Sequence, residues 1–228
     1  MSAKLTSTIQ APPNTTGLLI SRASPPDIPY APETFNRICI SSLASSVDAH
    51  KIVPLLQDCH SRLVPGGILE ICVIDPLPYH KTIGPKMKVW VESVATKLEK
   101  EFRCARPIVL LPDWIKAAGF SIIDYKGPPG GFKHLLSLPL VASERPENSI
   151  DNRDPSRDQL AAVVGRSLWR DTWGWLIDEG SERSYWDDKE VEVECMQYKT
   201  CFLVGTILAT KSPSQKLRRA SVVEREAT

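Results

Sequence analysis

Two histidines lie where acid–base chemistry would be expected in this chain, just beyond the ends of apolar segments that read as strands. His80 follows the segment at residues 68–74, and His50 begins a helical pattern soon after the segment at residues 37–43. Histidine gains and loses a proton near neutral pH, and open α/β sheets bind ligands beyond the carboxyl ends of their strands. We therefore take His80 and His50 as candidate catalytic bases. The alternative is that each is a solvated or helix-capping histidine.

A group of tryptophans near the carboxyl-terminal third of the chain could line a pocket for a flat substrate. Trp169 and Trp173 are spaced i, i+4 in a helical pattern over residues 155–177, which favours the buried face of that helix. Trp175 and Trp186 have no such explanation. We take these two as candidate substrate-binding residues.

The segments that must position these side chains alternate between strand and helix patterns. Strands are predicted over short apolar runs and helices over segments with apolar residues at i, i+3 and i+4. The predicted strands are residues 37–43, 68–74, 120–125 and 201–209, and the predicted helices are residues 50–64, 86–102, 113–118 and 155–177. This alternation predicts a mostly parallel α/β sheet covered by three main helices.

The sequence Pro65-Gly66-Gly67 predicts an abrupt change from helix to strand. Proline cannot continue a helix, and glycine tolerates positive φ, so the chain can turn back into the sheet. If a glycine here needs positive φ, a β-branched residue such as valine at Gly67 should cost about 1–3 kcal/mol.

Composition excludes several classes of function. The 228 residues contain 28 Lys plus Arg and 27 Asp plus Glu, a net charge of +1, which argues against binding nucleic acid through a basic surface. No apolar run approaches the roughly 20 residues of a membrane span, and the first residues lack a signal-peptide core. None of the six cysteines lies in a CxxC pair, so we expect buried thiols and no metal site. A soluble cytoplasmic protein is expected.

Three regions are expected from the distribution of polar residues and proline. Residues 1–25 read as a flexible arm, residues 26–210 as one domain, and residues 211–228 as a disordered tail.

Several motifs together resemble one family. They are Asp27-Ile28-Pro29-Tyr30, Phe35-Asn36, Arg62-Leu63-Val64-Pro65-Gly66-Gly67 and Gly119-Phe120. Their types and order resemble the class I S-adenosylmethionine-dependent methyltransferases from before the fourth strand to the sixth. Residues 186–211 are similar to the end of fungal methyltransferases of natural-product pathways. The resemblance implies a partial Rossmann-like sheet made of the family's later strands.

The same resemblance implies transfer of a methyl group from S-adenosylmethionine to a small-molecule acceptor in secondary metabolism. Most of the acceleration would come from placing the acceptor in line with the methyl group, with a histidine accepting its proton. Family members hold the cofactor through a glycine-rich turn after the first strand and a carboxylate after the second.

The cofactor motif has no counterpart in this sequence. Only Gly17 precedes Gly66, residues 23–26 read Ala-Ser-Pro-Pro where the family has an acidic residue, and Asn36 replaces an aspartate. The chain is therefore expected to correspond to the family's later half, and we expect no specific binding of S-adenosylmethionine. The alternatives to a methyltransferase are a non-catalytic remnant or interaction protein, and an enzyme that uses the substrate pocket without the cofactor.

The strand predicted at residues 37–43 would have a neighbour on one side only. Its open edge carries unpaired backbone donors and acceptors and is a template for further pairing. We expect the apolar residues 18–20, or another chain in a homo-oligomer or hetero-complex, to cover it.

Overall fold

The computed structural model describes residues 28–123, 128, 130–142, 155–176 and 188–212. It contains five strands and six helices in this part of the chain. The strands are β1 (Phe35–Ser41), β2 (Leu63–Ile74), β3 (Ser121–Ile122), β4 (Phe132–Pro139) and β5 (Cys201–Thr210). The helices are α1 (Leu43–Ser46), α2 (Ile52–Arg62), α3 (Pro85–Lys100), α4 (Pro107–Ala117), α5 (Pro155–Trp173) and α6 (Lys189–Tyr198).

The strands form one mixed sheet, and the α/β class predicted from the sequence is confirmed. β1 pairs with β2 in parallel, β5 lies antiparallel beside β2, and β3 and β4 both pair with the far side of β5. Among the described strands, β1, β2, β3 and β4 run in the same direction, as expected of a mostly parallel sheet, whereas β5 runs opposite to them in the middle of the sheet. Its uniformly apolar sequence reflects burial on both faces, and such a pattern does not reveal strand direction.

Helices cover the sheet on both faces, and each face has its own apolar core. On one face, α2 and α4 pack on β2 and β5 through side chains such as Leu56 and Leu111. On the other, α3, α5 and α6 pack through Met87, Trp169 and Cys195. Burial of these apolar side chains between the helices and the sheet is the main contribution to the stability of the fold.

β1 lies at one end of the sheet in the described part of the chain, as the sequence led us to expect. Ile38 and Ile40 point toward the core on the α2 side and are half-buried, whereas Arg37, Cys39 and Ser41 are exposed. The arm expected to cover this edge, residues 18–20, lies outside the described residues. What covers the edge therefore stays a prediction.

The Pro-Gly-Gly segment forms an irregular start to β2. Helix α2 ends at Arg62, and Gly66 has a φ of 80°, which confirms that a glycine here adopts positive φ. The Gly66 N–H donates to the carbonyl of Lys211, and the Lys211 N–H donates to the carbonyl of Gly67. A Cβ on Gly67 would lie 2.8 Å from the Val64 carbonyl oxygen, so valine there should be destabilising through a clash.

Three elements had not been expected, and two differ in length. The sequence-based assignment lacked α1, β4 and α6. Helix α4 begins six residues before the predicted helix and continues through Pro112, and the third predicted strand is described only at β3. β4 lies at the sheet margin and only one of its eight residues is fully buried, so its apolar pattern is weak.

The expectation of buried thiols holds for four of the six cysteines. Cys72 is half-buried, and Cys39 is exposed on β1, contrary to that expectation. Among the described residues, no cluster of His, Cys, Asp and Glu could hold a metal ion. No helix in the same ranges is long and apolar enough to cross a bilayer.

Candidate functional site

A cleft of about 60 Å³ opens at the carboxyl end of β2, and we call it the β2 cleft. Its wall combines four polar residues with four apolar ones. The lining residues are Asp75, Leu77, Pro78, Tyr79, His80, Arg106, Val109 and Leu203. This is the edge of an open α/β sheet at which ligands commonly bind. Of the sequence-derived candidates, the structure places only His80 in this wall.

Two tryptophans of α5 fix the chain where it leaves β2. The indole nitrogen of Trp173 donates to the Ile74 carbonyl at 3.0 Å, and that of Trp169 donates to the Pro76 carbonyl at 2.9 Å. Both side chains are fully buried, so their assignment to the helix core is confirmed. Since they bond to the backbone on either side of Asp75, they also position the floor of the cleft.

The start of β5 holds the same segment from the other side. The Asp75 N–H donates to the Leu203 carbonyl at 3.0 Å, and the Tyr79 N–H donates to the Cys201 carbonyl at 2.8 Å. The wall is therefore tied to two buried elements and can keep its polar groups in a fixed arrangement.

Asp75 is a buried carboxyl at the amino terminus of α4. One of its oxygens accepts a hydrogen bond from the Ile108 N–H at 3.0 Å. Only 7% of the residue is exposed, and this burial raises the pKa of Asp75 to about 7, against the opposing effects of the Ile108 N–H and the Arg106 charge. Asp75 can therefore act as proton donor or acceptor near neutral pH.

His80 and Arg106 form a polar pair beside Asp75. An Arg106 Nη1 lies 3.4 Å from the His80 Nδ1. Because a guanidinium can only donate hydrogen bonds, Nδ1 must accept, and the proton of the neutral imidazole then resides on Nε2. The Tyr79 ring meets the His80 ring edge to face, with centroids 4.8 Å apart, and limits the orientation of the imidazole. His80 thus presents an N–H donor from its Nε2.

His50 lies in a different environment. It is exposed in a short 3-10 turn, Ala49–Lys51, and is not part of the cleft wall. Its neighbour Asp48 forms ion pairs with Lys51 at 2.6 Å and with Arg103 at 3.2 Å. The structure does not bring His50 together with His80, and it supports the capping or solvated reading of His50.

Trp175, one of the two tryptophans proposed for substrate binding, is not part of the cleft wall. Trp175 is half-buried against the core on the α3 side, with its ring 6.1 Å from that of Trp173. Its assignment as a pocket wall stays unsupported, because the packing is that of a core residue. Trp186 lies outside the described residues.

Sequence reasoning missed Asp75 and Arg106. Asp75 is the first residue after β2, and a carboxylate in that place is itself a signal of a site at the sheet edge. Arg106 directly precedes the helix-starting Pro107, but α4 had been predicted to begin later. Its arrival beside His80 depends on tertiary packing.

The described residues do not provide the groups expected to hold S-adenosylmethionine. The turn after β1 contains Ser42 in a left-handed conformation, and the turn after β2 contains Asp75 and Pro76, with no glycine in either. Two glycines elsewhere are closely filled by side chains, Gly205 by Phe132 and Gly84 by Glu194. No glycine among them forms a backbone cradle at the carboxyl edge, so the cofactor does not fit the groups present, and we derive no step through it.

Comparisons with known proteins found no matching family model and no matching curated protein. Solved structures do match, at low identity. A putative sarcosine dimethylglycine methyltransferase from Galdieria sulphuraria is 13% identical, with a TM-score of 0.37, and the match covers 81% of this chain and 56% of that chain.

Two further matches are similarly distant. A phosphoethanolamine N-methyltransferase 2 from Haemonchus contortus, solved with phosphomonomethylethanolamine and S-adenosylhomocysteine, is 13% identical with a TM-score of 0.40, covering 80% of this chain and 34% of that chain. The [4+2]-cyclase SpnF is 13% identical with a TM-score of 0.36, and the match covers 86% of this chain and 56% of that chain.

The chain thus spans between about a third and just over half of the length of these three proteins. With TM-scores below 0.5, we take no activity, ligand or substrate from them. The functional proposal rests on the geometry of the β2 cleft.

Proposed function

We propose that this protein binds a small organic molecule in the β2 cleft and exchanges a proton with it, without using S-adenosylmethionine. The observation that carries the proposal is the buried Asp75 carboxyl in the cleft wall, close to the His80–Arg106 pair. Burial of a carboxyl group without a neutralising partner destabilises the folded state, and such groups are found mainly at functional sites.

The two acid–base groups would have different roles. Asp75 can take a proton from the bound molecule or return one, since both of its forms are accessible near pH 7. His80 would donate a hydrogen bond from Nε2 to an oxygen of the same molecule. Arg106 would stabilise negative charge that develops on that oxygen.

A bulky side chain at the mouth of the cleft tests whether it binds small molecules. Val109 lines the cleft and is 63% exposed, so Val109→Phe should fill the opening without disturbing a core. Val89 on α3 has the same exposure and lies away from the cleft, so Val89→Phe is the matched control.

The readout is a fragment library screened by ligand-observed NMR against the full chain and both variants. We expect fragments that bind the parent and Val89→Phe but not Val109→Phe, and in protein-observed spectra the same fragments should shift the His80 ring resonances. If no fragment distinguishes the two variants, the β2 cleft is not a binding site.

Methyl transfer from S-adenosylmethionine to a small molecule in secondary metabolism is the second candidate, suggested by the sequence motifs. It would use the β2 cleft for the acceptor, with the cofactor held by groups other than those described. Calorimetry with S-adenosylmethionine decides between the two: we expect no specific binding, and a micromolar dissociation constant would favour methyl transfer.

An interaction protein is favoured by one further observation, the edge of β1 that has no partner strand among the described residues. A second copy could pair there strand to strand, and since Arg37 is already paired with Glu70, two facing copies would not oppose unpaired charges. Light scattering tests this reading. A dimer abolished by Cys39→Lys but retained in the exposed helix control Ser93→Lys would support it, and a monomeric parent would exclude it.

A further inference from the structure

We propose that the ligand of the β2 cleft is a small carboxylate attached to an apolar group. This proposal rests on the proposed function, because it requires that the cleft binds a small molecule. It goes further by assigning the chemical class of that molecule from the hydrogen-bonding character of the wall.

The polar groups of the wall are predominantly donors. Arg106 can only donate, and His80 is left with a donating Nε2 because its Nδ1 faces the guanidinium. Tyr79 has a hydroxyl that can donate. An oxygen anion suits a wall whose polar side chains can donate hydrogen bonds, and the planar guanidinium fits the two oxygens of a carboxylate.

Asp75 determines whether that anion is tolerated. Its Oδ1 is occupied by the Ile108 N–H, and Oδ2 has no hydrogen-bond partner within the described ranges. When protonated, Asp75 adds a fourth donor to the wall, and its carboxyl can share the proton with a bound carboxylate. When ionised, it repels the same ligand, so proton uptake should accompany binding above the midpoint of its titration.

The dimensions and lining of the cleft limit what is attached to the carboxylate. A space of about 60 Å³ holds a carboxylate and little more, so the rest of the ligand must lie at the opening. Val109 is exposed there, and Leu77 and Pro78 form the apolar wall. A flat or branched apolar group would cover this surface and remove it from water.

Several groups face Asp75 and bear on its protonation. Within its own segment these are Tyr79 and His80, and from the loop before α4 they are Arg106 and the buried thiol of Cys104. From α4 the Ile108 N–H donates to it, and the uncharged side chains of Val109 from α4 and Leu203 from β5 line the same cleft. Arg106 is the single fixed charge among them, so it should control anion affinity.

Benzoate is the probe, with benzamide as the neutral molecule of matched shape and inorganic phosphate as a general anion. Binding is measured by calorimetry on the full chain between pH 5.5 and pH 8.5. We expect benzoate to bind at least tenfold more tightly than benzamide or phosphate at pH 6, and its affinity to fall about tenfold by pH 8.

Three variants sharpen the test. Arg106→Gln should weaken benzoate at least tenfold, whereas Lys81→Gln, which removes an exposed charge next to His80 but outside the cleft wall, should change it less than twofold. Asp75→Asn keeps the acceptor for Ile108 and should make benzoate binding less dependent on pH than it is in the parent.

The outcomes distinguish the carboxylate proposal from the more general proposal that the β2 cleft binds a small molecule. Benzamide binding as tightly as benzoate, with loss in Val109→Phe, would keep a ligand cleft and overturn the carboxylate assignment. The carboxylate assignment would also be overturned if the affinity for benzoate were unchanged in Arg106→Gln or increased with rising pH. If neither probe binds and no fragment distinguishes the Val109 and Val89 variants, both proposals fail.

Discussion

The amino termini of α3 and α4 each receive a carboxylate from a distant part of the chain, but the two carboxylates are used differently. Glu194 of α6 accepts from the Lys86 N–H at 2.9 Å and from the Met87 N–H at 2.8 Å, one bond to each oxygen. Asp75 accepts only the Ile108 N–H in the described part of the structure. Both carboxylates satisfy helix donors that would otherwise lack partners.

Their surroundings differ as well. Glu194 fills the space above Gly84, where a Cβ would lie 2.3 Å from its carboxyl carbon. Asp75 instead faces a cleft shared with His80 and Arg106. The comparison indicates that a carboxylate with both oxygens bonded and enclosed serves stability, whereas one left half-satisfied beside an opening is available for chemistry.

The largest expected effect concerns the enclosed carboxylate. Gly84→Ala should lower the free energy of unfolding by about 2–4 kcal/mol, because the new methyl group displaces Glu194 and leaves two helix N–H groups without acceptors. Gly174→Ala is the control, since its Cβ would lie 3.5 Å from the nearest atom, an ordinary contact. Denaturant unfolding measures both. Equal stability of Gly84→Ala and the parent would show that the Glu194 cap is dispensable.

Amide substitutions should change stability in opposite directions at the two helix ends. Glu194→Gln replaces one acceptor with an NH₂ group facing a backbone N–H, so we expect a loss of about 1–3 kcal/mol at pH 7. Asp75→Asn keeps its one acceptor and removes a buried charge, so we expect a gain of about 1–3 kcal/mol. Similar losses of unfolding free energy in Glu194→Gln and Asp75→Asn would show that the two carboxylates do not differ in this way.

The gain in Asp75→Asn should depend on pH. The pKa of Asp75 in the folded protein, about 7, lies above the value of about 3.9 in an unfolded chain. The folded state therefore binds more protons between these values, and its stability falls as pH rises from about 4 to 7. Asp75→Asn should match the parent near pH 4 and exceed it at pH 7. A difference that is constant with pH would contradict this origin.

The smallest expected effects are the changes in benzoate affinity on substitution of the two histidines. His80→Gln replaces the imidazole donor of the β2 cleft with a flexible amide and should weaken benzoate several-fold. His50→Gln changes an exposed residue outside the wall and should alter the affinity less than twofold. Calorimetry on the two variants compares them directly, and equal losses would place His50 in the site.

Local patterns were sufficient to predict the elements with strong periodicity or punctuation. β2, α3, α5 and β5 were predicted because their apolar spacing is clear, and Pro65 with Gly66 identified the end of α2. His80 was found because it follows a strand. Such features depend on neighbours in sequence.

The rest depends on contacts between residues far apart in the chain. Arg106 reaches His80 across 26 positions, and Ile108 reaches Asp75 across 33, so no local pattern could pair them. The direction of β5 is likewise set by its place between β2 and β4. The burial that raises the pKa of Asp75 follows from the same packing.

Titration of Asp75 by NMR tests the central claim most directly. Carboxyl carbons of ¹³C-aspartate-labelled protein are followed from pH 3 to pH 9, and Asp75→Asn assigns the signal. The account predicts a midpoint at about 7, moving upward when benzoate is added, because a bound carboxylate favours the protonated form. A midpoint near the ordinary value of about 3.9, unchanged by benzoate, would contradict it.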